Sequence, residues 1–293
     1  CLRRPAHPAE LMADQTVMGG ARRWEWPRWL KLPVLVGIAI IVFWLVTCVS
    51  VDFWPIDNPI DMVAKRLQPP GWAHWFGTDA LGRDVFSRTL HGARFSLMMS
   101  SAVIVFAVAI GSAIGAVAGY VGGLVDGALM RLVDITLSFP PILLAMAVTA
   151  SLGPGLENAA IAMIIVWWPV YARLMRGQVL SVKSREHVEA AVAAGASHSR
   201  TLLKHILPLS WSPILINATM DFGQVVLLTA SLSFIGLGAS PPTPEWGSMI
   251  SEGAIHFYQW WICAGPGIAI LSVVLGFNFL GDGLRDLLDP RSK

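Results

Sequence analysis

The sequence predicts an all-α membrane protein, a bundle of six transmembrane helices with both termini cytoplasmic. Charged residues make up only 14% of the 293-residue chain, where a soluble domain carries roughly a quarter. Hydrophobic residues make up 55%. Six runs stay apolar over about the 20 residues a helix needs to cross a hydrocarbon core.

The elements follow in order. Residues 1–31 read as a cytoplasmic tail, in which Trp24, Trp26 and Trp29 stand among Arg22, Arg23, Arg28 and Lys31 as an interfacial anchor. The first span, about 32–51, is uncharged. It is too long for the apolar region of a leader and lacks a small-residue cleavage site, so it reads as a span. The segment 52–95 is expected to lie outside and to pack over the bundle as short helices. The second span is 96–121, and the third is 135–152, which Pro140–Pro141 should kink. The fourth is 159–174. The fifth, 214–237, holds one acid, Asp221, and the sixth is 260–280. Gly153–Pro154–Gly155 and Pro241–Pro242–Thr243–Pro244 punctuate the connections. With both termini inside, sixteen of the 21 lysines and arginines are cytoplasmic. The rest lie in the long 52–95 segment, which weighs little in the positive-inside rule.

Composition also excludes classes. A net charge of +2 is too small to suggest nucleic acid. Cys1, Cys48 and Cys263 form no CxxC pair, and Cys48 and Cys263 read as small buried hydrophobes. Cys1, with an arginine-rich stretch behind it, reads as part of the tail and not as a lipoprotein start. No His, Cys or carboxylate run has metal-ligand spacing, so no metal is expected. His187, His198 and His205 share one loop, where exposure outweighs ligation. There is no GxxxxGK[ST] and no Gly–Lys pair, hence no phosphate-cradling loop. The chain is expected to be no enzyme and to hold no cofactor.

The segment 175–211, between spans four and five, is too long for a turn. It reads as two short helices, Arg185–Ala194 and about Ser199–His205. Ser184 is the expected N-cap of the first and Ser197 or Ser199 of the second, which Pro208 should end. Gly195 should stop the first helix, since a residue without Cβ adopts φ > 0. That helix is mostly alanine, with little side chain of its own to bury. It suits insertion into a groove on another protein; the alternative is a solvated connection.

Glu189–Ala190–Ala191, three residues, Gly195, nine residues, then His205, Ile206, Leu207 and Pro208 resemble the EAA signature of ABC importer permeases. His205 stands where isoleucine is commonest. Further stretches resemble the C-type permease of dipeptide, oligopeptide and nickel importers. These are Phe76–Gly77–Thr78–Asp79, Leu81–Gly82–Arg83–Asp84, Gly119–Tyr120–Val121–Gly122–Gly123, Leu232–Ser233–Phe234–Ile235–Gly236 and Pro244–Glu245–Trp246–Gly247. Gly281–Asp282–Gly283 and Asp289–Pro290–Arg291 complete the set. The resemblance implies a type I ABC importer permease domain over 32–293, in a bacterial inner membrane. It implies partners: a homologous second permease, two subunits that bind ATP and Mg, and an extracytoplasmic solute-binding protein. Glu189, Ala190, Ala191, Gly195, His205, Leu207 and Pro208 would form the loop that docks on the ATPase. The substrate would be a di- or oligopeptide; nickel or another small solute is the alternative.

Asn217, Asp221 and Gln224 fall on one helical stripe. A carboxylate at membrane depth faces a cavity or a partner. The stripe reads either as translocation path or as an interhelical patch. Were Asp221 a proton relay, the chain would be a secondary transporter, but matched broken helices are not found. Arg131 and Asp134 are spaced to pair within a helix. Asp79, Arg83, Asp84, Glu245 and Trp246 are candidates for an external gate or a binding-protein dock.

Overall fold

The computed structural model describes residues 32–288. The expected tail, its tryptophan anchor, Cys1 and Asp289–Pro290–Arg291 lie outside the described residues. Among those described, regular secondary structure is helical apart from one antiparallel bridge between Thr78 and Asp84. Five helices are long and apolar enough to cross a membrane, or six if one bent pair counts as a single span.

Helix α1 runs Leu32–Ser50. The segment after it does not form the expected short helices. A single 3₁₀ turn at Val51–Phe53 is followed by turns as far as Asp84. Asp84 then caps α2, Val85–Val121, by accepting the Ser87 N–H at 2.7 Å. The cap starts α2 well before the expected residue 96. Ser87, Arg88, Thr89 and His91 hide its opening turns from an apolar window. At 37 residues, α2 is about 55 Å long.

The third span is a larger break than a kink. Helix α3, Gly123–Leu137, and α4, Pro141–Leu152, meet at 91°. Proline has no N–H to donate and pushes the residue before it out of the α region. Pro140 accordingly sits at ψ 129°, and Pro141 opens α4, where a helix needs no donor.

Helix α5, Leu156–Lys183, outruns the expected span and takes the first part of the predicted loop. Helix α6 is Glu186–Ala193. A turn at His198–Arg200, α7, continues through a π-helical stretch, Thr201–Ile206, into α8, Leu207–Phe234. Pro208 therefore does not end a helix. It sits in the first turn of α8, directly after a π-helical stretch whose Leu207 N–H bonds the Leu202 carbonyl, and the wider π turn accommodates a residue that has no N–H to donate. Helices α9, Trp246–Ile255, and α10, Trp261–Leu288, complete the chain.

The broadest contact in the bundle is α2 against α5. Lipid is as apolar as leucine, so hydrophobicity does not drive such pairs. Close backbone approach does, and small residues permit it. Gly111, Gly115 and Gly119 recur every four residues on one face of α2. A Cβ on them would run into the carbonyl oxygens of Trp168, Ala172 and Arg176 of α5. The two helices thus pack backbone to backbone. On the other side, α1 lies on α10, pinned where Trp44 Nε1 donates to Ser272 Oγ at 2.8 Å.

Candidate functional site

The first loop helix, α6, lacks the expected Ser184 cap. Its N-cap is Arg185, without a side-chain hydrogen bond. Its other end is built as the sequence implies. The Ala196 N–H reaches the Ala191 carbonyl at 3.0 Å and the Gly195 N–H reaches Val192 at 2.9 Å, with Gly195 at φ 84°. This paired closure satisfies orphan carbonyls and needs a left-handed residue between them. Ser197 caps α7 by accepting the Arg200 N–H. Val188 is the one buried residue of α6, while Glu189, Ala190 and Gly195 are exposed and Ala191 is half-buried. No other part of the chain comes within 4 Å of the position a Gly195 Cβ would take. His205 and Leu207 are half-buried and Pro208 is exposed. The sequence motif is thus carried by a small, mostly bare helix on the surface.

Behind it lies a cleft of about 960 Å³. Its walls are α6, α7, the start of the π-helical stretch and the adjoining ends of α2 and α5, including Tyr120, Lys183, Glu189 and Leu202. At its rim Tyr120 Oη and His198 Nδ1 are 2.9 Å apart. Lys183 Nζ donates to the Tyr120 carbonyl at 2.7 Å and stands 5.2 Å from the centre of its ring. Sequence reading missed this cluster, because its members lie on three elements.

The Asn217–Asp221–Gln224 stripe does not act as one group. Asn217 turns its amide back onto the Pro213 carbonyl at 2.9 Å, and Gln224 is exposed. Asp221 Oδ2 accepts the Tyr171 hydroxyl at 2.8 Å and the Trp167 indole N–H at 3.4 Å. The two aromatics are one helical turn apart on α5, a spacing readable in the sequence once Asp221 is in view.

The charges on the membrane-flanking helix pair differently from the local expectation. Asp134 accepts Arg173 of α5 at 2.6 Å rather than pairing with Arg131. Asp126 takes Arg176 through both oxygens, at 2.5 and 2.6 Å. A planar guanidinium matches a carboxylate this way across helices. Together the pairs lash α3 to α5.

The residues expected to face a partner outside are buried in the chain itself. Asp79, Arg83 and Asp84 are 1%, 4% and 5% exposed. Arg83 Nε meets Asp79 Oδ2 at 2.6 Å, and its Nη2 meets Glu252 of α9 at 3.0 Å. Arg88 meets the same two carboxylates at 3.4 and 3.7 Å. Two cations and two anions thus clasp the loop before α2 to α9, since buried charges require partners. Glu245 caps α9 through the N–H groups of Gly247 and Ser248, both at 2.9 Å. Burial pushes its carboxyl above the ordinary value of 4.5, against those bonds. Trp246 is wholly buried and donates to the Thr89 carbonyl at 2.8 Å. All five side chains shape this face from within.

The fold does gather one set of groups that spacing could not show. One ligand atom each from Asp57, His74 and Asp84 lie within 4.8 Å of one another. Asp84 is engaged there as the α2 cap and as partner to His74 Nδ1 at 2.7 Å. Helix capping and an Asp–His hydrogen bond account for both residues.

Helices of this length and apolarity, with a broken third span, are those of a multi-pass membrane protein. The chain belongs to the family of binding-protein-dependent transport system inner membrane components, whose model matches residues 111–293. It is 45% identical over 264 residues to the probable D,D-dipeptide transport system permease protein DdpC of Escherichia coli K12, covering 89% of this chain and 88% of that one. It is 44% identical over 266 residues to the dipeptide transport system permease protein DppC of Alkalihalophilus pseudofirmus, covering 88% and 86%. It is 44% identical over 261 residues to the glutathione transport system permease protein GsiD of Escherichia coli O157:H7, covering 89% and 84%. In fold it is similar to a chain of the methionine ABC transporter MetNI, solved in inward-facing conformations, with a TM-score of 0.58 and 21% identity over 69% of this chain and 97% of that one. This is a multi-pass membrane protein and a permease subunit by family, not a catalytic domain.

Proposed function

We propose that this chain forms, with a second permease, the path by which an ATP-driven importer takes up di- or oligopeptides. The observation that carries this reading is the α6 helix. It is bare, exposed and closed by a left-handed Gly195, so that a groove on another protein can grip its backbone. Relatives named for dipeptides and glutathione at 44–45% identity support peptides over nickel as cargo. ATP and Mg would bind two partner subunits, which receive Glu189, Ala190, Ala191, Gly195, His205, Leu207 and Pro208. Both termini would then be cytoplasmic, on the side of α6. A solute-binding protein would deliver the peptide to the opposite face. Asp79, Arg83, Asp84, Glu245 and Trp246 would hold the frame of that outer gate. Asn217, Asp221 and Gln224 would line the path, with Asp221 oriented by Tyr171 and Trp167 toward the peptide amine.

Closure of the ATPase pair would draw the two α6 helices together and open the permeases outward. Hydrolysis would return them. Nucleotide drives such a cycle only by binding one conformer more tightly than the other. Pull-down of the chain in mild detergent should recover a P-loop ATPase, a second permease and a binding protein. Recovery of the chain alone, with uptake in vesicles that follows a proton gradient and ignores ATP, would replace this reading with a secondary transporter. Asp221→Asn should lower uptake or alter peptide preference; unchanged uptake and preference would remove Asp221 from the path.

A further inference from the structure

We propose that Tyr120 is a positioning residue for transport, the strut through which the coupling loop moves the α2–α5 pair. The inference rests on the coupling reading of α6 given above. Three elements meet at this one residue. Its carbonyl is among the last of α2, left without a helical donor, and Lys183 at the end of α5 supplies one. Its ring lies beside the same ammonium. Its hydroxyl reaches His198, the first residue of α7. Whichever of the two holds the proton, the bond is the same strut.

Two features make this contact decisive. First, α6 and α7 are not packed flush on the bundle, because a cleft of about 960 Å³ separates them from the helix ends. A void transmits no displacement, so motion reaches α8 along the continuous helix from α7 but reaches the α2–α5 pair through contacts at the rim. Among the described residues, the Tyr120–His198 bond is the one side-chain hydrogen bond from residues 186–200 to α2 or α5. Val188, buried beneath α6, is the apolar contact beside it. Second, what the strut pushes on is stiff. The Gly111–Gly115–Gly119 seam sets α2 close on the α5 backbone, with only the bases of Tyr171 and Val179 beside it. A shift of His198 is therefore delivered to two membrane helices at once.

The test uses the full complex in proteoliposomes: both permeases, both ATPase subunits and a binding protein supplied with dialanine. Dialanine uptake per ATP hydrolysed is measured for Tyr120→Phe, His198→Gln and the double variant. Phenylalanine keeps the ring and its contact with Lys183. Each single variant should lower the ratio severalfold. The double variant should fall no further, since both remove one bond. Co-purification of the ATPase subunits should not change. An unchanged ratio in the single variants would overturn the proposal, as would two losses that multiply in the double. Loss of ATPase subunits or of folded protein would overturn it too, because the pair would then serve docking or folding. A wild-type complex whose uptake ignores ATP would instead defeat the coupling reading itself.

Discussion

Gly195 holds a left-handed φ of 84° between two backbone hydrogen bonds that end α6. An L side chain there costs roughly 1–2 kcal/mol of strain, and a large one also stands where the ATPase would approach. Gly195→Leu should therefore insert normally but lose peptide uptake, whereas Gly195→Asn, which tolerates this conformation, should keep most of it. Uptake and membrane abundance measured side by side distinguish the two. Glu245 offers a second test. Its folded carboxyl is held above the ordinary 4.5 by burial, so the folded state binds its proton more tightly than the unfolded state does. Its contribution to stability is then full below about pH 4.5 and declines as pH rises through the folded value. Glu245→Gln should flatten that decline. Thermal unfolding in detergent between pH 4 and 8 checks it, and identical slopes for variant and wild type would refute it. Sequence alone reached Gly195, because one residue type and one conformation decide that position. It placed Glu245 and Asp79 outside, because charges in a loop read as solvated until the fold brings their partners to them, Ser96 of α2 to Glu245 and Arg88 of α2 to Asp79.

At the scale of elements, apolar windows locate helices better than they bound them. The polar start of α2 and the continuation of α8 from His198 depend on capping and on a π turn, which hydropathy does not register. The glycine seam of α2 was open to view as a four-residue spacing, yet its meaning needs the partner helix. Gly115→Leu should force α2 off α5, sharply reducing folded protein. Gly127→Ala in α3, where a Cβ meets nothing within 4 Å, should be neutral or stabilise by up to about 1 kcal/mol through helix propensity. Fluorescence-detected size-exclusion after a heat challenge measures both. Equal survival of the two variants would deny the seam its structural role.

For the whole molecule, six apolar runs were enough to give the class, since a bilayer dictates length and composition so strictly. They could not give the shape of the third crossing. After the elbow at Pro140–Pro141, the arm that rises toward α5 has only 12 residues, about 18 Å of helix, against about 30 Å of hydrocarbon. The arm is too short to reach from one headgroup layer to the other. A helix shorter than the hydrocarbon is met by thinning of the bilayer, by snorkelling of its flanking residues or by association with a neighbour, and the cost grows with every ångström of mismatch. Bilayer thickness thereby becomes a setting of the transporter: uptake should be faster in vesicles of short-chain lipid than in long-chain ones at equal fluidity, and a cell that lengthens its acyl chains would slow its own feeding.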